Sequence, residues 1–236
     1  QDVPVPTVED ASLEIVLVAD SSKIVHPIGI ALDPMGRLLA IESHTHFPPE
    51  NYQGRKHDRI LALSDQDGDG SLETVETFFE GTKHTMDICV HFDGSVYVAT
   101  RNEILRLEDR DKDGRAEVKQ QIAFLETKGS YPHNGLSGLH VDFDGNLSFG
   151  MGENLGVAYR LRGSDGTTIA DEAEGGNVFW CTADGEKLRR VATGFWNPFG
   201  NCFDSAGRLF CVDNDPDASP PCRLLHVVPS GDYGYQ

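Results

Sequence analysis

Two acidic turns have the most specific ligand spacing in the sequence. In the first, DQDGDGSLETVE, three carboxylates (Asp65, Asp67 and Asp69) hold loop positions one, three and five, Gly70 holds position six and Glu76 position twelve. This is the spacing of an EF-hand calcium loop, in which oxygen ligands surround one ion. Because strands flank the turn, we expect only the loop of an EF-hand. Calcium is favoured over a solvated turn, since three closely spaced aspartates repel one another without a cation.

The second acidic turn lacks the final ligand. It contains Asp109, Asp111, Asp113 and Gly114, but Gln120 stands at position twelve. No carboxylate at that position can bind an ion through both of its oxygens. Calcium binding and a solvated β-turn therefore stay equally open for this segment.

A loop histidine is the candidate general base. His133 lies in the sequence YPHNG (131–135), directly before an apolar hairpin. If the fold is a propeller, this loop opens onto the central channel, where a histidine could take a proton from a substrate hydroxyl near neutral pH. A structural or solvated histidine is the alternative. His44 and His46 could share a metal on an extended segment, although a polar rim is favoured for them.

Four similar hairpins must position these residues. Each has an apolar run, a short turn that ends in glycine, and a second apolar run; three of the four turns begin with aspartate. Aspartate bonds to its own backbone at the start of such a turn, and glycine accepts a positive φ at its end. The turn glycines are Gly36, Gly94, Gly145 and Gly207, at intervals of 58, 51 and 62 residues. This recurrence predicts repeated structural units.

The repeated order of four strands per unit predicts an all-β fold, a β-propeller, rather than a β-sandwich. We expect a lead over residues 1–12 and a propeller domain over 13–236, with units at roughly 28–80, 84–125, 134–192 and 197–236. The segment LEIVLVA (13–19) is predicted to be a further strand. Because an open array of four units exposes sheet edges, we also expect the complete protein to contain further blades.

Composition narrows the possible partners. The 236 residues have a formal net charge of −18, which disfavours nucleic acid and anionic membranes. No apolar run is long enough to cross a membrane. The five cysteines form no C-x-x-C motif, although Cys211 could pair with Cys202 or Cys222. The first residue, Gln1, is consistent with signal-peptide cleavage or with an arbitrary boundary.

Three motifs resemble the soluble quinoprotein glucose dehydrogenase family of six-bladed propellers, which depend on pyrroloquinoline quinone (PQQ). They are HNGLSGLHVDFDGNLSFGMGEN (133–154), TGFWNPFGNCFDSAGRLFCVDND (193–215) and CRLLHVVPSGDYGY (222–235). The chain is most similar to a branch in planctomycete-type bacteria that is labelled as membrane-bound dehydrogenases. The resemblance covers most of residues 13–236, and it implies a propeller of this type, cut to about four blades.

The resemblance also implies roles for individual residues. His133 falls on the catalytic base of the family, and Glu153 stands where the family has aspartate. Asn197 falls on a cofactor-binding asparagine, whereas Trp196 replaces the arginine that pairs with the cofactor carboxylates. Residues Asp215 and Pro216 fall where backbone carbonyls bind the calcium ion that clamps the quinone. Phe199 stands where the family often has glutamine.

Three functions follow from these observations. The first is PQQ- and calcium-dependent oxidation of a sugar or alcohol in the periplasm or outside the cell, within a chain that includes further domains. The second is a calcium-stabilised propeller without catalytic activity that binds a glycan or a partner domain through Trp196 and Phe199. The third is a calcium-dependent hydrolase of the lactonase type. Its candidate metal ligands are Glu42, Asn134, Asn197 and Asp213.

Overall fold

The computed structural model describes residues 6–171, 175–214 and 221–235, and it consists mainly of β-strands joined by turns and loops. The predicted all-β fold is confirmed. Within these residues the helical structure is one 3-10 turn, η1 (Pro132–Asn134). The described part of the chain has no helix that is long and apolar enough to cross a membrane.

The first two sheets follow the chain as antiparallel meanders. The strands of the first sheet are β1 (Pro27–Leu32), β2 (Leu38–Glu42), β3 (Asp58–Ser64) and β4 (Thr74–Thr82). The second sheet starts with β5 (Thr85–Val90), β6 (Val96–Thr100), β7 (Glu103–Glu108) and β8 (Val118–Thr127). In both sheets, strands that are adjacent in the sequence are adjacent in space.

The third and fourth sheets repeat this order with one interruption. The third contains β9 (Leu136–Val141) and β10 (Leu147–Met151), and later β13 (Gly176–Cys181) and β14 (Arg189–Phe195). The fourth contains β15 (Asn197–Phe203), β16 (Leu209–Asn214) and β17 (Arg223–Val227). The last strand, β18 (Gly231–Asp232), pairs in parallel with β14, so the chain returns to the third sheet.

The interruption is a hairpin that joins the neighbouring sheet. Strands β11 (Tyr159–Gly163) and β12 (Thr168–Asp171) lie between β10 and β13 in the sequence. β11 pairs with β8, so the second sheet has six strands. The sequence assigned this segment to the third unit. It pairs instead with the outer edge of the second sheet, which covers an edge that would otherwise be open.

The hairpin turns form by the predicted mechanism. An Asp33 carboxylate oxygen accepts the backbone N–H groups of Met35 and Arg37 at 2.9 and 2.8 Å. In the fourth sheet, Asp204 accepts the N–H groups of residues 206 and 208, each at 2.9 Å. Gly36 and Gly207 have φ angles of 79° and 75°, which a side chain would make costly.

The core is divided into layers between successive sheets. The first strands of neighbouring sheets contact one another, and apolar side chains fill the space behind them. Leu39 and Ile60 pack against Val98 between the first two sheets. Phe149 and Phe179 pack against the second sheet, and Phe195 packs against the fourth. Each such burial contributes roughly 1.5–3 kcal/mol, and the sheets are held together face to face as propeller blades are.

The predicted strand at 13–19 is wrong. These residues form no strand, and Leu13, Val16 and Leu17 are 64, 57 and 47% exposed. β-branched composition measures how well a side chain fits a sheet, but a strand forms only where a neighbouring strand supplies hydrogen bonds. No described strand pairs with this segment.

Three of the five cysteines are buried or half-buried. Cys181 and Cys211 are buried free thiols, and Cys89 is a half-buried free thiol. Burial raises the pKa of the Cys211 thiol. Neither disulfide that the sequence left open for Cys211 is formed.

Asp87 connects the second and third sheets and should make stability pH-dependent. Its carboxylate accepts the backbone N–H of Leu139 at 2.7 Å, and burial raises its pKa to about 6. A raised pKa means that this group favours folding below the unfolded-state value near 4, and that this contribution is lost as the pH rises through 6. The free energy of unfolding should fall by about 1–2 kcal/mol over this pH range. The change is limited because part of the residue reaches solvent.

We expect Asp87→Asn to remove this loss, since the amide stays neutral. Urea unfolding at pH 4, 5, 6 and 7 should show the variant gaining stability relative to the original protein as the pH rises. Asp144→Asn, in an exposed turn, is the control and should give a constant difference. Parallel profiles for Asp87→Asn would show that this carboxyl does not titrate near pH 6.

Candidate functional site

The loops that contain the predicted base and the described cofactor-binding residues lie at one end of the sheets. The D-x-x-G turns close the first hairpins at the opposite end. The loops that enter β5, β9 and β15 and those that leave β2, β10 and β16 therefore share the other end, here called the site end. His46, His133, Glu153 and Asn197 all lie in or next to these loops.

His133 lies in a group of aromatic rings. It is half-buried within η1, and its ring centroid is 4.3 Å from that of His46, 5.4 Å from Phe47 and 5.2 Å from Tyr131. His46 and Phe47 come from the loop after β2, so the first and third sheets meet here. The histidine that the sequence assigned as base is held by side chains from two blades.

The loop after β2 is fixed at its start by a buried carboxylate. Glu42 is 2% exposed and accepts hydrogen bonds from His44 Nε2 at 2.8 Å and from Arg59 Nε at 2.7 Å. His44 Nδ1 in turn contacts the Tyr52 hydroxyl at 2.5 Å. The pKa of Glu42 is lowered, since the hydrogen bonds from His44, Val25 and Arg59 outweigh the opposing effect of burial.

A second buried carboxylate, Asp58, fixes the same loop to the second sheet. It is completely buried and accepts the backbone N–H groups of His44, Thr45 and Thr85 at 2.7, 2.9 and 2.9 Å. It also accepts both threonine hydroxyls. The backbone N–H of His84 reaches the Thr45 hydroxyl at 2.6 Å. These bonds give the residues leading to His46 a defined position at the site end.

Phe47 has a strained backbone and an exposed side chain. Its φ is 48°, a region that bulky residues rarely occupy, and its side chain is 58% exposed. It borders a cavity of about 400 Å³, together with Tyr131, Asn134, Glu153 and residues of the 128–130 and 154–157 segments. A volume of this size is typical of small-molecule pockets.

Glu153 is a structural carboxylate within this site. It is 4% exposed, and it accepts the backbone N–H of Gly156 at 2.9 Å and that of Gly175. Asn134 donates its side-chain N–H to the Glu153 carbonyl at 2.6 Å. Glu153 therefore connects two loops, and it makes no hydrogen bond to His133 among the described residues.

Asn197 and Trp196 are held by a buried ion pair. Asp213 accepts the backbone N–H of Asn197 at 2.7 Å and that of Trp196 at 3.3 Å, and it pairs with Arg223 at 2.6 Å. The Trp196 ring meets Tyr235 edge to face, with centroids 5.0 Å apart. The backbone of this motif is thus fixed independently of any ligand.

Three asparagine oxygens in or near this motif lack donors. Oδ1 of Asn177, Asn197 and Asn201 is buried in each case, and none has a hydrogen-bond partner among the residues described. A Cβ on Gly152 would lie 2.7 Å from Asn197 Oδ1, so the glycine is needed for the close approach. Orphaned amide oxygens suit a hard cation or a donor group of a ligand. Asp215 and Pro216, the other residues expected here, lie outside the described residues.

The proposed lactonase ligands do not converge as a free metal site. Glu42 is neutralised by Arg59, and Asp213 by Arg223. Each carboxylate is used within its own sheet. Of the four candidate ligands, Asn134 and Asn197 both lie close to Gly152, where a Cβ would be 2.7 Å from Asn197 Oδ1 and 2.8 Å from Asn134 Cα.

The first acidic turn gathers a different fourth carboxylate from the one expected. Oxygens of Asp65, Asp67, Asp69 and Glu73 all lie within 4.8 Å of one another. Glu76 is not in this group, because it lies in β4 opposite Ala62. Asp65 accepts the N–H groups of residues 68 and 70 at 2.6 and 2.8 Å, and these bonds lower its pKa.

The second acidic turn repeats this arrangement. Asp109, Asp111 and Glu117 come together, whereas Asp113 accepts the backbone N–H of Arg115 at 2.9 Å. Glu73 and Glu117 both stand at position nine of their loops. Neither glutamate was predicted as a ligand from the sequence, although their repetition at the same loop position could have indicated it.

We expect calcium to raise the thermal midpoint of unfolding through the first turn. Millimolar calcium should raise it by roughly 5–10 °C, since an ion at a hundred times its Kd adds about 2.7 kcal/mol. Asp67→Asn and Glu73→Gln should remove the increase, and Glu76→Gln should retain it, because Glu76 lies outside the carboxylate group. Differential scanning calorimetry with calcium or with chelator measures this. Equal midpoints for the unmodified protein in both buffers would contradict calcium binding.

The two histidines of the H-x-H motif separate. His44 points to Glu42 and Tyr52, whereas Nε2 of His46 lies 3.2 and 3.3 Å from the two ring nitrogens of His133. Burial, followed by the charges of His133 and His84, lowers the pKa of His46. The polar rim expected for this pair is therefore wrong for His46. Its contact spans 87 residues, and local spacing holds no signal for it.

Several known structures are similar to this chain, and two of them contain PQQ domains or bound PQQ. A PQQ-bound aldose sugar dehydrogenase from Streptomyces coelicolor is 17% identical, with a TM-score of 0.61 over 90% of this chain and 63% of that one. The PQQ domain of a pyranose dehydrogenase from Coprinopsis cinerea is 15% identical, with a TM-score of 0.58 over 84% of this chain and 45% of that one.

A third similar structure binds calcium. It is a calcium structure of a Trichoderma reesei carbohydrate-active enzyme of family AA12, 14% identical, with a TM-score of 0.65 over 93% of this chain and 57% of that one. The present chain thus spans about half to two thirds of the length of these proteins. At such low identity the similarity shows the fold, and the predicted β-propeller of the quinoprotein glucose dehydrogenase type is confirmed.

Sequence comparison adds a family without an assigned activity. No curated protein matches the sequence significantly. Residues 7–232 match the model of a family described as a domain of unknown function, DUF7133. The chain is therefore a member of the DUF7133 family, with a quinoprotein-type propeller fold.

Proposed function

We propose that this chain contains the base and part of the cofactor-binding surface of a PQQ-dependent dehydrogenase that oxidises a sugar or alcohol hydroxyl. The observation that carries the proposal is the placement of His133. It lies at the site end among aromatic side chains from two blades, and its neighbours Phe47, Tyr131 and Asn134 line a cavity of about 400 Å³. The similar structures of a pyranose dehydrogenase PQQ domain and of a PQQ-bound aldose sugar dehydrogenase favour the same reaction class.

The role of His133 is to accept a proton. As the substrate hydroxyl loses its proton to a ring nitrogen of His133, the carbon that carries it releases hydride and becomes a carbonyl. When bound, the quinone supplies the hydride acceptor. Phe47 and Tyr131 exclude water from one side of the imidazole, and their faces can pack against the apolar face of a sugar ring.

The described residues fit part of the cofactor. Asn197 Oδ1 is a buried acceptor without a donor, which suits a calcium ion or a ligand N–H, and Trp196 offers an aromatic surface for a planar ring. The cofactor carboxylates fit less well. An indole cannot replace a guanidinium as their partner, and Arg223 is engaged by Asp213. No step is therefore assigned to residues that hold those carboxylates.

Calcium binding, the role of residues 215 and 216, and membership of the planctomycete-type branch are part of the same proposal. So are a periplasmic or extracellular location and attachment to further domains. The net charge of −18 supports a neutral or cationic small-molecule partner rather than nucleic acid.

Binding and turnover test this function together. The protein is titrated with PQQ by calorimetry, with calcium and with chelator, and the loaded protein is then given a dye acceptor and a panel of aldoses and alcohols. The proposal predicts saturable, calcium-dependent binding and dye reduction with at least one substrate. Absence of both would refute it.

A glycan-binding propeller without catalysis is the second candidate. Its specific support is the exposure of Phe47 and Tyr131, at 58 and 42%, beside the cavity. Phe199 is 39% exposed and could also stack on a sugar, whereas Trp196 is half-buried against Tyr235. Binding to a glycan array without dye reduction, and loss of that binding in Phe47→Ala, would favour this function.

A further inference from the structure

We propose that His46 is the positioning residue of His133: it holds the imidazole by placing its Nε2–H edge on the ring face, so that both ring nitrogens of His133 stay available to ligand. The inference deepens the proposed function and rests on it for its catalytic consequence. The contact itself is a property of the protein without cofactor.

The Nε2 atom of His46 lies close to both ring nitrogens of His133. His46 Nε2 is almost equidistant from the two nitrogens of His133, at 3.2 and 3.3 Å, and the ring planes make an angle of 74°. A point in the plane of His133 at those distances would clash with the carbon between the two nitrogens. The His46 nitrogen therefore lies over the ring face, in an edge-to-face arrangement.

The surroundings of the His46 ring indicate which of its two nitrogens carries the proton. Its other nitrogen, Nδ1, is buried and has no hydrogen-bond partner among the described residues. A buried N–H without an acceptor is rarer in proteins than a buried lone pair without a donor. The proton is therefore assigned to Nε2, where the negative face of the His133 ring can receive it. Burial and the charge of His133 lower the pKa of His46, which favours the neutral ring.

Both ring nitrogens of His133 stay available to a ligand. Its lone pair and its own N–H lie in the ring plane, away from His46. Among the residues described, no carboxylate hydrogen-bonds to His133, and Glu153 is used by the N–H groups of Gly156 and Gly175. A shared metal ion would need the lone pairs of both rings to meet at one point, which this geometry does not provide.

The loop that precedes His46 fixes the position of its side chain. Two buried carboxylates, Glu42 and Asp58, fix the loop immediately before it. The charged and titratable groups around the pair are His84 and Asp58 near His46, Arg101 beneath Gly135, Lys83 next to His84, and Tyr131 against His133. None of these hydrogen-bonds to the His133 ring within the described chain, whereas His46 Nε2 lies 3.2 and 3.3 Å from its two nitrogens.

The positive N–H edge should favour neutral His133 over its protonated form. We expect His46→Phe, which keeps an aromatic ring but loses the N–H, to raise the pKa of His133 by about half a pH unit. His46→Gln restores an N–H donor and should return the value to near that of the original protein. His226→Gln, on the fourth sheet, is the control and should change nothing. The readout is NMR titration of the assigned His133 ring protons in the protein without quinone.

Each outcome decides the proposal. An unchanged His133 pKa in His46→Phe, or an equal change in His46→Phe and His46→Gln, overturns it. If His46→Phe does not fold, His46→Leu removes the N–H in a smaller side chain and is measured instead. If the unmodified protein reduces no dye but shows the predicted NMR pattern, the dehydrogenase function is refuted. The contact between His46 and His133 is then still supported.

Discussion

Asp58→Ala should destabilise the protein by about 3–5 kcal/mol, the largest effect expected from a single substitution here. The carboxylate is completely buried and accepts three backbone N–H groups and two hydroxyls. Alanine would leave those buried donors without an acceptor, and each orphaned group costs roughly 1–3 kcal/mol. The damage should extend from the loop after β2 to the start of β5, since Asp58 joins the two.

Urea unfolding followed by circular dichroism measures this loss. Asp58→Asn is the matched variant. It keeps the shape and one acceptor oxygen but points an NH₂ at neighbouring donors, so its loss should be smaller than that of alanine and still above 1 kcal/mol. Asp144→Ala, in an exposed turn, should cost less than about 1 kcal/mol. A cost for Asp58→Ala as small as that of Asp144→Ala would contradict the role given to this carboxylate.

His133→Gln should lower kcat/KM for the best substrate by roughly 10²–10⁴-fold, the range that a general base contributes. Glutamine has a similar size and can still donate a hydrogen bond, but it cannot take up a proton near neutral pH. The Kd for quinone should stay within about threefold, because Asn197 and Trp196 lie on a different blade.

Steady-state dye reduction and calorimetric quinone binding on the same preparations test this prediction. His140→Gln is the matched control, since His140 lies in β9 shortly after η1 and packs against Phe203, away from the cavity. A kcat/KM for His133→Gln within threefold of the original value would show that His133 is not the base. A parallel loss of quinone binding would show that it acts on the cofactor instead.

Local chemistry explains what could be predicted about the fold. An aspartate that bonds to its own backbone and a glycine with positive φ determine a hairpin within four residues, so the turns at 33–36 and 204–207 could be recognised directly. Pairing between segments that are distant in the sequence could not be recognised in this way. The β11–β12 hairpin chose the edge of β8, and the apolar segment 13–18 found no partner strand.

The site shows the same division. The sequence predicted His133 as a candidate base from its loop and its motif, and in the structure its neighbours Tyr131 and Asn134 line the cavity. It gave no signal for His46 above His133, because that contact depends on how the first and third sheets are arranged around the centre. In the acidic turns, counting to position twelve selected Glu76, whereas the turn brings Glu73 back to the aspartates.

The most direct test of the central claim is the absorbance of protein-bound PQQ when an aldose or alcohol is added without dye and without oxygen. We expect a substrate-dependent change from the oxidised to the reduced cofactor spectrum, complete at one equivalent per bound quinone and strongly slowed in His133→Gln. Bound quinone whose spectrum stays unchanged with every substrate, or protein that binds no quinone with calcium present, would contradict it.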